Sequence, residues 1–351
     1  MMKKRNHVIF YSGGKSSFSV ADYVKTKFPD DNIVLYFTDS LWEHPDLYRF
    51  IQEGSDKLQL PLLIHSMGLN PIELMFEKKL VFNSRIGECS KYLKMKVAAD
   101  FLKKGERPVI ERWRNKQYLK DEDFISEATL YFGIGFEELH RQGPIIKNWR
   151  PFKVEMPWIE HMVNHDEVLR KYSMKQPVLY DLGFAHNNCG GRCVKAGQGH
   201  YRNLKQKMPD VFHDIMVKEH HMKIYVSSYR YIMSIETDGR DGWDEEVRRV
   251  LLDELDAAYR DYFYGRKDRP DVYIHPAASS VSMEFTQYSF MKRQSKTPVV
   301  IKDLDEEGNE IKVTKYPNEP YPLRDFNLDV EKAGIQIDMF DIGGCGCFVS
   351  A

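Results

Sequence analysis

The chain has 351 residues, enough for about two domains. It is 42% hydrophobic and 29% charged, the balance of a globular protein with a proper core. Its 51 Lys and Arg against 52 Asp and Glu leave a net charge of −1, which excludes a global basic field for nucleic acid and leaves room only for a local basic face.

No stretch approaches the roughly 20 apolar residues of a membrane span. The apolar run that follows the positive start MMKKRNH is too short for a signal peptide. The expectation is a cytoplasmic protein with no membrane partner. Its five cysteines, Cys89, Cys189, Cys193, Cys345 and Cys347, are odd in number and in a reducing compartment stay mostly as thiols. They are therefore core, metal-binding or redox-active.

Residues 7–11 (HVIFY) read as a buried strand. Phe18, Ala21, Val24 and Phe28 then recur at roughly helical spacing up to Pro29. Residues 33–37 (IVLYF) form a second strand, 47–58 a helix and 61–65 (PLLIH) a third strand. Helical sequence returns at 91–104, and 129–134 (TLYFGI) suggests another strand. Strands alternating with helices imply a parallel α/β sheet. From about residue 200 the character changes. Residues 240–264 read as a charged amphipathic helix covering the core. Residues 298–316 alternate on either side of Glu307-Gly308-Asn309, a hairpin pattern. These shifts divide the chain into a nucleotide-binding domain, 1–204, and an accessory region of helices and hairpins, 205–351, that ends in a cysteine-containing tail.

The loop after the first strand reads Ser12-Gly13-Gly14-Lys15-Ser16-Ser17. A Walker A loop would need glycine at residue 9, which is Ile9, so that reading fails. Two glycines let the backbone turn sharply and approach an anion. The helix that follows points its amino end at the same place. Ser12, Ser16 and Ser17 add hydroxyls, and Lys15 adds a charge. Asp39 ends the second strand, where α/β sheets bind ligands, and suits a ribose hydroxyl, magnesium or a local turn.

Further along, Arg85, Lys91, Lys94 and Lys96 surround Cys89, and such cations both activate a thiol and attract phosphate. Glu138 and Arg141, three apart, share a helix face as an ion pair or with Arg141 turned to a phosphate. Cys189 and Cys193 enclose two glycines, and Cys345 and Cys347 form a second pair near the end. Four thiolates suit zinc or an iron–sulfur cluster, with Cys89 able to join or replace one.

The Ser-Gly-Gly-x-x-Ser loop resembles the PP-loop of the ATP pyrophosphatase superfamily, whose pattern is Ser-Gly-Gly-x-Asp-Ser; Ser16 stands at the Asp position. Superfamily members often carry Asp at the place of Asp39. The Arg85–Lys96 segment and the Gly-Ile-x-x-x-Glu-x-x-Arg segment, here Gly133, Glu138 and Arg141, resemble those of phosphoadenosine phosphosulfate reductases. The segment His-Asn-Asn-Cys-Gly-Gly-x-Cys-Val-Lys-Ala-Gly and the ending Gly-Gly-Cys-Gly-Cys-Phe resemble a bacterial and phage group of reductase-like proteins. The resemblance covers most of residues 7–204 and returns at about 320–348. The Glu-Cys-Gly-Leu-His tail of the true reductases is absent.

The resemblance implies a Rossmann-like sheet of the adenine nucleotide alpha-hydrolase kind. It implies ATP or a related adenine nucleotide, with Mg2+, held by residues 12–17, Asp39, Arg85, Lys94, Gly133 and Arg141. The leading expectation is adenylation of an unknown acceptor, nucleic acid included, with pyrophosphate release. Lys15 assists catalysis, and Cys89, Cys345 or Cys347 completes sulfur transfer or reduction. The second is reduction of a phosphosulfate nucleotide by Cys345 or Cys347, with a thioredoxin-like reductant. The third is a non-catalytic nucleotide- or metal-sensing module of a larger assembly. Cys189, Cys193, Cys345 and Cys347 are the expected metal ligands.

Overall fold

The structure, a computed structural model, describes residues 4–83, 86–237, 244–273, 288–304 and 310–328. Arg85, Cys345 and Cys347 lie outside the described residues.

The first half alternates strand and helix: β1 (Asn6–Phe10), α1 (Lys15–Lys27), β2 (Asn32–Thr38), α2 (Pro45–Leu58), β3 (Leu62–Ser66) and α3 (Pro71–Lys78). A π-helix at Ser90–Lys96 runs into α4 (Val97–Lys104), followed by β4 (Ile110–Arg114) and β5 (Thr129–Tyr131). Then come α5 (Gln142–Asn148), β6 (Lys153–Glu155) and the short helices α6 (Pro157–Glu160), α7 (His165–Lys171) and α8 (Val178–Asp181).

These strands form one six-stranded sheet in the order β4-β3-β2-β1-β5-β6. Only β4 is antiparallel to its neighbour. Every residue of β1 and β2 is buried, as expected for central strands covered on both faces. Their side chains alternate between two cores. Ile9, Leu35 and Phe37 pack with Phe18, Val24 and Phe50 of α1 and α2. Val8, Phe10, Val34 and Tyr36 pack on the other face with Phe101, Phe132 and Trp149. The chain steps from β1 through β2 to β3, then returns to place β5 on the opposite side of β1. The gap between the ends of β1 and β5 is therefore the topological switch point, where such sheets take ligands.

The second half holds α9 (Gln198–Lys207), α10 (Pro209–Ser234) and α11 (Glu245–Phe263). Two small antiparallel sheets follow, one of β7 (Met291–Gln294) with β10 (Asn318–Tyr321), the other of β8 (Val299–Leu304) with β9 (Glu310–Lys315). The charged helix and the hairpin arms stand where the sequence puts them. The hairpin tip, 305–309, lies outside the described residues. A third core joins Trp42 and α3 to residues 179–204, α10 and α11. No helix among the described residues is long and apolar enough to cross a membrane.

Candidate nucleotide site

The β1–α1 connection has the shape of a backbone-built cradle. Gly13 sits at φ +83°, and a Cβ there would lie 2.6 Å from Leu47 Cγ, so both conformation and space demand glycine. Gly14 is the extended N-cap of α1 and has no side chain to cap it, which leaves the first N–H groups of a 13-residue helix aimed outward. The cradle opens into a cleft of about 230 Å³ lined by Ser12, Gly14, Ser16 and Ser17, the ends of β1, β2 and β5, and residues 185–188.

Ser16 is committed locally. Its hydroxyl donates to the Gly133 carbonyl at 2.8 Å and so ties the loop after β1 to the loop after β5. Gly133 is close enough that a Cβ would reach Ser17 N at 3.0 Å. Ser17 donates to the Gly14 carbonyl at 2.9 Å. Asn187, from the cysteine-bearing segment, donates its amide to the Gly13 carbonyl at 2.9 Å and brings that segment onto the cradle.

Two buried ion pairs flank the cleft. Arg141 pairs with Glu138 in the turn after β5, and both line the cleft. Lys94 is carried inward by the π-helix, a deviation common at functional sites. Its ammonium lies 3.4 Å from Glu43, whose side chain is fully buried. Burial works against the Lys94 charge, but Glu43 and the nearby Cys189 and Cys89 thiols hold its pKa above the ordinary lysine value. Glu43 also accepts from Ser40 at 2.9 Å and from the Cys189 N–H.

His186 lines the cleft and stacks on His200, with ring centroids 5.3 Å apart. Burial, helped by His200 and Lys94, pushes its pKa down to about 3, so it is neutral. His186 Nδ1 and Asn187 Oδ1 are buried without a hydrogen-bond partner among the described residues. Buried polar atoms normally have partners, so these two are exceptions beside the cleft.

Other expected residues stand elsewhere. Lys15 does not line the cleft. Its ammonium pairs with Asp166 at 2.9 Å and Gln176 at 3.2 Å, and lies over the Tyr180 ring. Asp39 is also outside the lining; it accepts from Leu41 N–H and Tyr48 hydroxyl, both at 2.8 Å, as a turn residue does.

The thiols of Cys89, Cys189 and Cys193 gather behind Lys94. Burial pushes Cys89 up to about 11, with the charge of Cys193 adding to it. The hydrogen bond from Cys189 draws Cys193 down to about 7 against burial, helped by the Lys195 N–H and charge. Among the described residues no group of three or more His, Cys, Asp or Glu side chains is arranged to hold a metal ion. Of the expected ligands Cys189, Cys193, Cys345 and Cys347, the first two are buried free thiols, and the last two lie outside the described residues. Glu43, Glu137 and Tyr180 escape sequence reading; only the polar cluster of residues 38–44 beyond β2 hinted at the first.

No curated protein matches the chain. No solved structure matches it either. Residues 6–117, which run from β1 through β4, match the family model of the phosphoadenosine phosphosulfate reductase domain, a family of the PP-loop superfamily.

Proposed function

We propose that the protein is an adenine-nucleotide-binding PP-loop enzyme that works at the α-phosphate of its nucleotide or at a sulfate on it. The observation that carries this reading is the meeting of the α1 amino end, Lys94 and Arg141 at one cleft on the switch point. The α1 N–H groups and the Ser12 and Ser17 hydroxyls hold phosphate oxygens. Lys94 spends one of its three N–H donors on Glu43 and turns the others to the ligand. This fixed array meets charge as it develops, without reorganising.

In the adenylation reading an acceptor atom attacks the α-phosphorus, the bond to the β-phosphate oxygen breaks, and pyrophosphate leaves. A thiolate then attacks the activated atom of the acceptor: the bond to sulfur forms, the bond to the adenylate oxygen breaks, and AMP leaves. Magnesium would bind with the triphosphate and neutralise the leaving pyrophosphate, and Glu137, which lines the cleft, would be its carboxylate ligand. Lys15, drawn off by Asp166, joins the phosphates only if that exposed pair opens.

Ser16 favours a second reading, reduction of a phosphosulfate nucleotide. Its hydroxyl clamps the Gly133 carbonyl where an aspartate would offer a carboxylate to magnesium pyrophosphate. The attacking thiol would then be Cys345 or Cys347, with a thioredoxin-like partner resolving the thiosulfonate.

The test runs both substrates in parallel on the full chain. ATP with magnesium and candidate acceptors is assayed for pyrophosphate; phosphoadenosine phosphosulfate with a dithiol is assayed for sulfite. Pyrophosphate supports adenylation, and sulfite supports the reductase reading. Calorimetry that detects no binding of either nucleotide overturns both.

A further inference from the structure

Residues 189–191 pass through three consecutive left-handed conformations, with φ +56° at Cys189, +58° at Gly190 and +76° at Gly191. That region is natural for glycine and uncommon for cysteine. The turn, closed by the Arg192 N–H to the Cys189 carbonyl at 3.0 Å, folds the chain back within four residues and sets the Cys189 and Cys193 thiols in the same buried core. The surroundings hold this shape from several sides. Glu43 takes the Cys189 N–H, Tyr201 donates to the Cys193 carbonyl at 3.0 Å, and the His200 ring holds the Gly191 carbonyl at 2.7 Å. A Cβ on Gly190 would lie 3.2 Å from the Trp42 carbonyl oxygen. Asn188, the residue before the first thiol, lines the cleft. Cys89, more exposed than either, packs on the same core.

We infer that Cys189 and Cys193 form a two-electron dithiol–disulfide couple at the back of the cleft wall, whose oxidant is a sulfur electrophile of the disulfide class. The Cys193 sulfur attacks one sulfur of the oxidant, the oxidant's S–S bond breaks, and its first half leaves as a thiolate. Cys189 then gives up its proton and attacks the Cys193 sulfur; the internal S–S bond forms and the second half leaves. The pair loses two electrons and two protons, and the oxidant departs as two thiols. Closing the bond requires the sulfurs to approach to about 2.05 Å, and the turn already brings the two residues together. This inference does not depend on which nucleotide the cleft takes.

The test uses the full chain, with and without chelator treatment, equilibrated in graded mixtures of oxidised and reduced dithiothreitol. Free thiols are trapped with iodoacetamide, and mass spectrometry follows cleavage at acidic residues, which leaves Cys189 and Cys193 on one peptide. The expected result is a reversible change of that peptide from doubly alkylated to unalkylated and lighter by two hydrogens. Cys89→Ser keeps the change, whereas Cys189→Ser or Cys193→Ser abolishes it. Full alkylation at both positions across the whole series overturns the inference, as does a disulfide from either one to Cys89. Oxidation that occurs only after the chelator overturns it too, because it assigns the thiols to a metal.

Discussion

Asn187 donates its side-chain amide to the carbonyl of Gly13, a residue 174 positions earlier, at 2.9 Å. One bond therefore couples the glycine loop between β1 and α1 to the segment that carries the cysteine turn. Its other side-chain atom, Oδ1, is buried without a partner among the described residues, and the residue itself lines the cleft.

Asn187→Ala removes both functions. The Gly13 carbonyl loses its donor, which costs about 1 kcal/mol of stability. Nucleotide affinity falls by about tenfold, as expected for losing one oriented polar contact of about 1.4 kcal/mol. Calorimetric titration with ATP and with phosphoadenosine phosphosulfate checks this; unchanged affinity for both would remove Asn187 from the site.

Gly13→Ala places a methyl group against Leu47 in a left-handed backbone. The expected cost is about 2–3 kcal/mol from strain and overpacking together. Leu47→Ala alone also destabilises, by opening a cavity in the α2 core. In the double variant the alanine at 13 occupies part of that cavity, so the losses fall short of additive by more than about 0.5 kcal/mol. Urea unfolding of the four proteins closes the cycle, and simple additivity would show that the clash with Leu47 is not what demands glycine.

Much of this arrangement was legible in the sequence, and what was hidden has identifiable causes. The apolar runs of β1 and β2 and the glycine turn between β1 and α1 are local signals, so they could be read directly. β6 is three residues long with no fully buried position and leaves almost no pattern. β4 alternates over Ile110–Arg114 but pairs antiparallel at the edge, outside the repeating strand–helix rhythm. The π-helix at 90–96 has nearly the spacing of an α-helix, so the turn that aims Lys94 inward is invisible in the sequence. The fate of Lys15 was hidden for a different reason. Asp166, which captures it, lies 151 residues further on, and no local pattern announces such a partner. The Ser16–Gly133 clamp likewise spans two loops that only the sheet brings together.

Lys94→Met tests the buried pair with Glu43. Removing the ammonium leaves Glu43 charged and enclosed, at a cost of about 3–5 kcal/mol. Adding Glu43→Gln removes the stranded charge, and much of that stability returns. Nucleotide binding does not return, because the ammonium that faces the cleft is still absent. Thermal unfolding and nucleotide titration on the single and double variants separate these effects. If the double variant regained binding, Lys94 would be a purely structural residue.

Glu219, in the middle of α10, is a buried carboxylate that fastens two separate segments. It accepts from the Phe290 N–H and from the Leu323 N–H, both at 2.7 Å. Burial pushes its pKa up to about 7, although those two amides and Lys223 pull it down and Asp325 adds slightly to the rise. Below pH 4.5, its usual value, folded and unfolded chains both hold the proton, so the group adds no pH dependence. Between there and about 7 the unfolded chain releases the proton first, so folding stability falls as pH rises through that window. The full loss is on the order of 3 kcal/mol, complete above the folded-state pKa. Glu219→Gln cannot titrate and removes this slope. It also sets an amide N–H2 against one of the two backbone donors and lowers stability by about 1–3 kcal/mol at low pH. Urea midpoints for both proteins across roughly pH 5 to 8 measure the difference. Parallel profiles would mean that Glu219 stays ionised throughout, held by its two amides and Lys223 against the cost of burial.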